Sequence, residues 1–179
     1  MKRITIIILS LAIALVTSIG TDAKVKNKQS ARKRTVSTQS VKRTYIKKVN
    51  SLRGYGDNYG YFLTDITGDG IPELWVKYGT CEADYMLDVY TYSKSGLKRI
   101  LRTNAGHTEY FGYPGGSYVI AHWAHMGYEA ITRITYSGKS LRNKVIYESP
   151  GEVSDYQILK EPIFDFIPFT NTREIEYNF

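Results

Sequence analysis

The chain has 179 residues, 42% of them hydrophobic, and its one cysteine excludes an internal disulfide as the device that holds a fold together. Its length suits a single domain with a real core. The formal charge of +7 is lopsided: 12 of the 24 Lys and Arg but only one acid precede position 51, so the remainder carries 12 basic against 16 acidic residues and is not a nucleic-acid surface by composition.

Lys2 and Arg3, an apolar run from Ile4 to Val16, and small residues up to Ala23 predict a secretory signal peptide over residues 1–23. That run falls short of the about twenty residues a bilayer span needs. No transmembrane segment is therefore expected in the mature protein, which is placed as secreted or periplasmic. Residues 24–40 are basic and polar with no apolar period, and they read as a disordered linker ahead of a domain over 41–179. Val41, Tyr45, Ile46, Val49 and Leu52 then recur on one helical face, with Ser40 as N-cap and Gly54 as stop.

A short strand at 61–63 leads into Asp65-Ile-Thr-Gly-Asp-Gly-Ile-Pro-Glu-Leu-Trp-Val76, where oxygen-bearing side chains fall at a spacing that chemistry dictates. Asp65, Thr67, Asp69 and Glu73 take loop positions one, three, five and nine, and the Ile71 carbonyl falls at seven, a set of hard oxygens suited to Ca²⁺. Gly68 and Gly70 let the backbone curl that closely. An EF-hand is excluded, because its position twelve is Val76 here and Pro72 interrupts the loop. Gly-Asp-Gly runs also make ordinary turns without a metal. Against that, three acids at alternate positions repel one another in an empty loop.

The pattern D-x-x-G-D-G-x-P-E-L before an apolar strand resembles the calcium loops of FG-GAP and VCBS repeat proteins. It is more similar still, over roughly residues 45–140, to a group of secreted bacterial proteins with a single such loop. The resemblance implies Ca²⁺ on Asp65, Thr67, Asp69, the Ile71 carbonyl and Glu73. Thr67 stands where the repeat family has Asp or Asn, which implies weaker affinity. The resemblance lends no reaction.

After the loop, Leu74, Val76 and Tyr78 alternate with Trp75 and Lys77, the period of a half-buried strand. Further strands at 85–92, 97–102, 108–113, 117–123, 128–136 and 141–148, separated by turn signals, predict an antiparallel meander in a mainly β (α+β) fold. Tyr90-Thr-Tyr-Ser and Ile134-Thr-Tyr-Ser echo each other 44 positions apart and read as two similar hairpins of one sheet. Pro162 and Pro168 among aromatics predict irregular chain and short strands, not a helix, over 156–179.

Three constellations could carry chemistry. Cys81 activated by His107 or His125, with Glu129 or Glu82 orienting the imidazole, would make a hydrolase nucleophile, although no active-site signature surrounds it. His122, His125 and Glu129 would share a face on a helix, whereas the sequence there reads as a strand. The tyrosines number 16, and Tyr55, Tyr59, Tyr61, Tyr85, Tyr110, Tyr113 and Tyr128 near glycines suit either carbohydrate and peptide ligands or strands with one wet face. The sequence therefore predicts a monomeric, secreted, calcium-binding structural or ligand-binding module. Its partner is expected to be a protein, peptide or glycan, with the Cys81 hydrolase as the alternative.

Overall fold

The structure is a computed structural model that describes residues 36–55, 59–150, 161–177 and 179. The predicted signal peptide and most of the predicted linker lie outside the described residues. Helix α1 (Thr38–Asn50) starts ahead of the expected cap: Ser37 is its N-cap, and Ser40 lies within it, its carbonyl accepting from Thr44 Oγ1. Val41, Tyr45 and Val49 form its buried stripe, and Lys47 and Lys48 occupy the last turn, where positive charge suits the helix dipole.

Eight strands follow as two antiparallel meanders. The first comprises β1 (Gly60–Thr64), β2 (Glu73–Tyr78), β3 (Met86–Ser93) and β4 (Gly96–Asn104), in the order β4-β3-β2-β1. The second comprises β5 (Thr108–Phe111), β6 (Tyr118–His125), β7 (Tyr128–Tyr136) and β8 (Leu141–Pro150), in the order β5-β6-β7-β8. The mainly β fold is as the alternation of apolar and polar residues predicts. The echoing hairpins, however, belong to different sheets: β3–β4 lies in the first and β7–β8 in the second. In the C-terminal stretch, Ile163 bridges to Phe111 and β9 (Ile167–Pro168) adds to the free edge of β1. A one-turn helix, α2 (Arg173–Tyr177), then forms where none was expected. Its Ile175 is wholly buried against α1 and the first sheet, so tertiary packing supplies what so short a helix lacks by itself.

The first sheet is the middle layer. On one face Phe62, Trp75, Leu87 and Val89 meet Tyr110, Val119 and Ile134 of the second sheet. On the other, Tyr61, Leu74, Val76 and Tyr90 meet Val41, Tyr45 and Val49 of α1. Strand β2 is therefore buried on both faces, Glu73 and Lys77 included, and not half-buried as its alternation suggests. Alternation reports two faces of different polarity; it does not report whether the polar one is covered.

Truncating the shared core tests this layering. Trp75→Ala is expected to lower the urea-unfolding free energy by about 3–5 kcal/mol. Val145→Ala, on an exposed side chain of β8, is expected to change it by less than about 0.5 kcal/mol. Equal losses in the two variants would refute the placement of Trp75.

Candidate functional site

The two ends of the sheets carry different chemistry. At one end β1 runs through an acidic loop into β2; at the other the β2–β3 connection, the β4–β5 connection and the β6–β7 turn come together.

In the acidic loop, Asp65 Oδ1 accepts from the amides of Gly68 at 2.8 Å and Asp69 at 3.2 Å, and its Oδ2 accepts from Gly70 at 2.8 Å. Asp69 Oδ1 accepts from the Ile71 amide at 2.9 Å. Gly68 and Gly70 adopt φ of 72° and 82°, the left-handed conformation that this curl demands. Glu73 points into the protein, with Oε2 accepting from the Ile66 and Thr67 amides at 3.1 and 3.3 Å. The Tyr45 hydroxyl donates to the Pro72 carbonyl at 3.0 Å and ties the loop to α1.

These residues fit a cation in part. Among the described residues no three His, Cys, Asp or Glu side chains are grouped to hold a metal. What does converge is two carboxylates and a hydroxyl: Thr67 Oγ1 lies 3.4 Å from Asp65 Oδ1 and 3.2 Å from Glu73 Oε1. A hydroxyl has one proton and cannot donate to both. Oxygens at 2.3–2.6 Å from a calcium ion and at right angles to one another are about 3.3–3.7 Å apart, so the 3.4 Å spacing falls within the range of a coordination-shell edge and the 3.2 Å spacing just short of it. Asp65 already accepts three amides of the roughly four bonds a carboxylate can take, and Asp69 is turned toward Ile71. Burial pushes the Glu73 carboxyl up to about 7 against hydrogen bonds from Thr91 and Thr67, and the charges of Asp69 and Asp65 push the same way.

The opposite end holds all three histidines. Asp84 clamps the β2–β3 turn by accepting from the amides of Thr80 at 2.7 Å and Cys81 at 2.9 Å, which presents Glu82 toward the β4–β5 connection. Glu82 Oε2 accepts from the His107 amide at 2.7 Å. Gly106 makes that approach possible, because a Cβ there would fall 2.1 Å from the Glu82 carbonyl. His107 is held at a left-handed φ of 52° and its ring stacks on His125 at 3.9 Å. On β6, His122 faces away from His125, as a strand requires, and its Nε2 lies 2.5 Å from Glu129 Oε1. Glu129 is 5% exposed, and its Oε2 has no partner among the described residues.

Sequence reasoning missed Lys77, whose ammonium is wholly buried beneath this end. It donates to the Thr108 carbonyl at 3.0 Å and lies 3.7 Å from the centre of the Tyr59 ring and 5.1 Å from that of Tyr85. Burial pushes Lys77 down to about 8, with Glu82 and Glu109 pulling the other way. A lysine sharing the Trp75 face of a central strand was the available signal. Of the tyrosines singled out, Tyr61, Tyr85 and Tyr110 are buried in the core, and the rings of Tyr59 and Tyr85 cover the lysine. Cys81 is exposed, and no described hydrogen bond or ring contact joins it to an imidazole.

Both buried charges make stability depend on pH. Glu73 has a folded value near 7, above its ordinary 4.5, so the folded state holds its proton longer and this contribution falls as pH rises from 4.5 through 7. Glu73→Gln is expected to remove that fall in metal-free buffer, and parallel stability–pH curves for the two proteins would refute it. Lys77 has a folded value near 8, below its ordinary 10.5, so the unfolded chain holds the proton longer and stability from this group rises with pH between 8 and 10.5. Lys77→Met is expected to abolish that rise, and an unchanged slope would show the ammonium to be solvated.

No protein-family model matches this chain, and neither does a curated protein or a solved structure.

Proposed function

We propose that this chain is an exported, calcium-stabilised β module that binds a ligand and performs no chemistry at the acidic loop. The observation that supports calcium most directly is the chain of oxygens Asp65 Oδ1, Thr67 Oγ1 and Glu73 Oε1, spaced at 3.4 and 3.2 Å as neighbours around a hard cation are. Asp65, Thr67, Asp69, the Ile71 carbonyl and Glu73 would hold the ion. Bound there, the ion supplies positive charge against three carboxylates, one of them buried. The protein supplies the rest: Gly68 and Gly70 set the curl, the loop amides fix Asp65, and β2 holds Glu73 in a dry position. Export rests on the leader pattern at 1–23, and millimolar extracellular calcium suits a loop whose third position is a neutral Thr.

Calcium binding only the folded state would stabilise it by about 2.7 kcal/mol at a hundredfold excess over the dissociation constant, a rise in melting temperature of roughly 5–10 °C. Thr67→Asp is expected to tighten binding and Glu73→Gln to remove most of the gain. Melting curves in EDTA and in millimolar Ca²⁺ make the comparison. Coincident curves for the wild type would leave the loop as an ordinary turn.

A further inference from the structure

Helix α1 carries charge of a single sign. Lys42, Arg43, Lys47 and Lys48 stand among its 13 residues, and no acid does. Opposite charges four residues apart stabilise a surface helix, and like charges at that spacing destabilise it. Arg43 and Lys47 are such a like pair, both exposed on the side away from the buried stripe of Val41, Tyr45 and Val49. Lys42 is turned aside, its ammonium donating to the Glu176 carbonyl of α2 at 2.5 Å.

The first sheet adds to this charge along one flank of the helix. The Lys48 ammonium lies 4.9 Å from the centre of the Tyr90 ring, and Arg99 and Arg102 reach Asp88 from β4 at 3.6 and 2.7 Å. Asp88 is one buried negative charge for these three cations, and it is already engaged by Arg102 and by the hydroxyls of Tyr78 and Tyr90. Both arginine side chains stay nearly half exposed, at 42% and 46%. Burial holds Lys48 below the usual lysine range; Asp88 pulls the other way, and Arg102 and Arg99 push it further down. Repulsion of this kind is relieved by a partner of negative charge.

The shape of the patch selects among anions. α1 is about 20 Å long and lies on the outside of the first sheet, and none of the residues lining the clefts of about 490, 300 and 440 Å³ belongs to it. A single nucleic-acid strand calls for a groove with stacking rings, whereas an anionic bilayer takes a convex basic surface directly. Beyond position 50 the chain has 12 basic against 16 acidic residues, so the field is directional and turns the helix side toward negative charge. The leader pattern brings the chain to a membrane, and the choice of lipid as the anion rests on that export reading.

We propose that the outward side of α1 docks on an anionic lipid bilayer, with Arg43 and Lys47 contacting headgroup phosphates and Lys48, Arg99 and Arg102 extending the positive surface onto the first sheet. The surface is independent of the acidic loop and of calcium.

Co-sedimentation with vesicles tests it, using the exported form of the full chain in EDTA. Binding is expected to phosphatidylcholine vesicles holding about one-quarter phosphatidylglycerol and not to phosphatidylcholine alone, and it should weaken as salt screens the surface. Arg43→Gln with Lys47→Gln is expected to weaken binding about tenfold or more, from about 1 kcal/mol for each cation near an anionic surface. Arg142→Gln with Lys144→Gln removes the same charge from exposed positions of β8 and is expected to change binding by less than about twofold. The α1 variant should melt no lower than the wild type, since it removes a repulsive pair. Equal binding to both vesicles, or equal losses in the two variants, would overturn the assignment. So would displacement from the vesicles by duplex DNA at equal phosphate concentration, which would favour nucleic acid. Undiminished binding of the α1 variant would assign the contact to the basic residues between Lys24 and Arg34 and overturn it as well. N-terminal sequencing of the purified protein reports on export separately.

Discussion

One strand buries two opposite charges and keeps them apart. Glu73 and Lys77 stand at either end of the same face of β2, both without solvent exposure. Four residues of extended chain separate them by about 13 Å, too far for a direct pair. Each charge must therefore be answered locally: Glu73 by the amides of Ile66 and Thr67, Lys77 by the Thr108 carbonyl and two tyrosine faces. Because β2 lies between α1 and the second sheet, neither side chain is exposed to water. The two ends of the molecule acquire their chemistry from that constraint.

A third buried charge shows what full satisfaction looks like. Asp88, on the helix-facing side of β3, accepts two bonds at 2.7 Å from Arg102 and others from the hydroxyls of Tyr78 and Tyr90. Every oxygen is engaged, and the cluster reads as scaffold. Glu129 differs by having one oxygen without a described partner while the other fixes His122. Buried polar groups left incompletely paired are rare in folded proteins.

The 44-residue echo gains a physical meaning from the topology. Each hairpin is the last of a four-strand antiparallel meander, and each closes on a glycine with positive φ, 95° at Gly96 and 83° at Gly138. Similar hairpins recur because two similar sheets are built one after the other. Placing both in one sheet failed because hairpin sequence encodes a turn and its flanking register, which are the same whether the next strand joins the sheet or starts another.

What the sequence by itself determined was local. The period-two runs located the eight meander strands, Gly68 and Gly70 marked the curl between β1 and β2, and the spacing of Asp65, Thr67, Asp69 and Glu73 set which oxygens could meet. The strand pattern also placed His122 and His125 on opposite faces. Tertiary structure alone decided that β2 is covered on both sides, that Lys77 is buried under Tyr59, and that Gly106 brings Glu82 against His107. It also stacked His107 on His125 and left Cys81 exposed. The reason is range: periodicity and turn chemistry act over a few residues, whereas burial of a charge depends on which layer closes over it, from 31 positions away for Thr108 over Lys77.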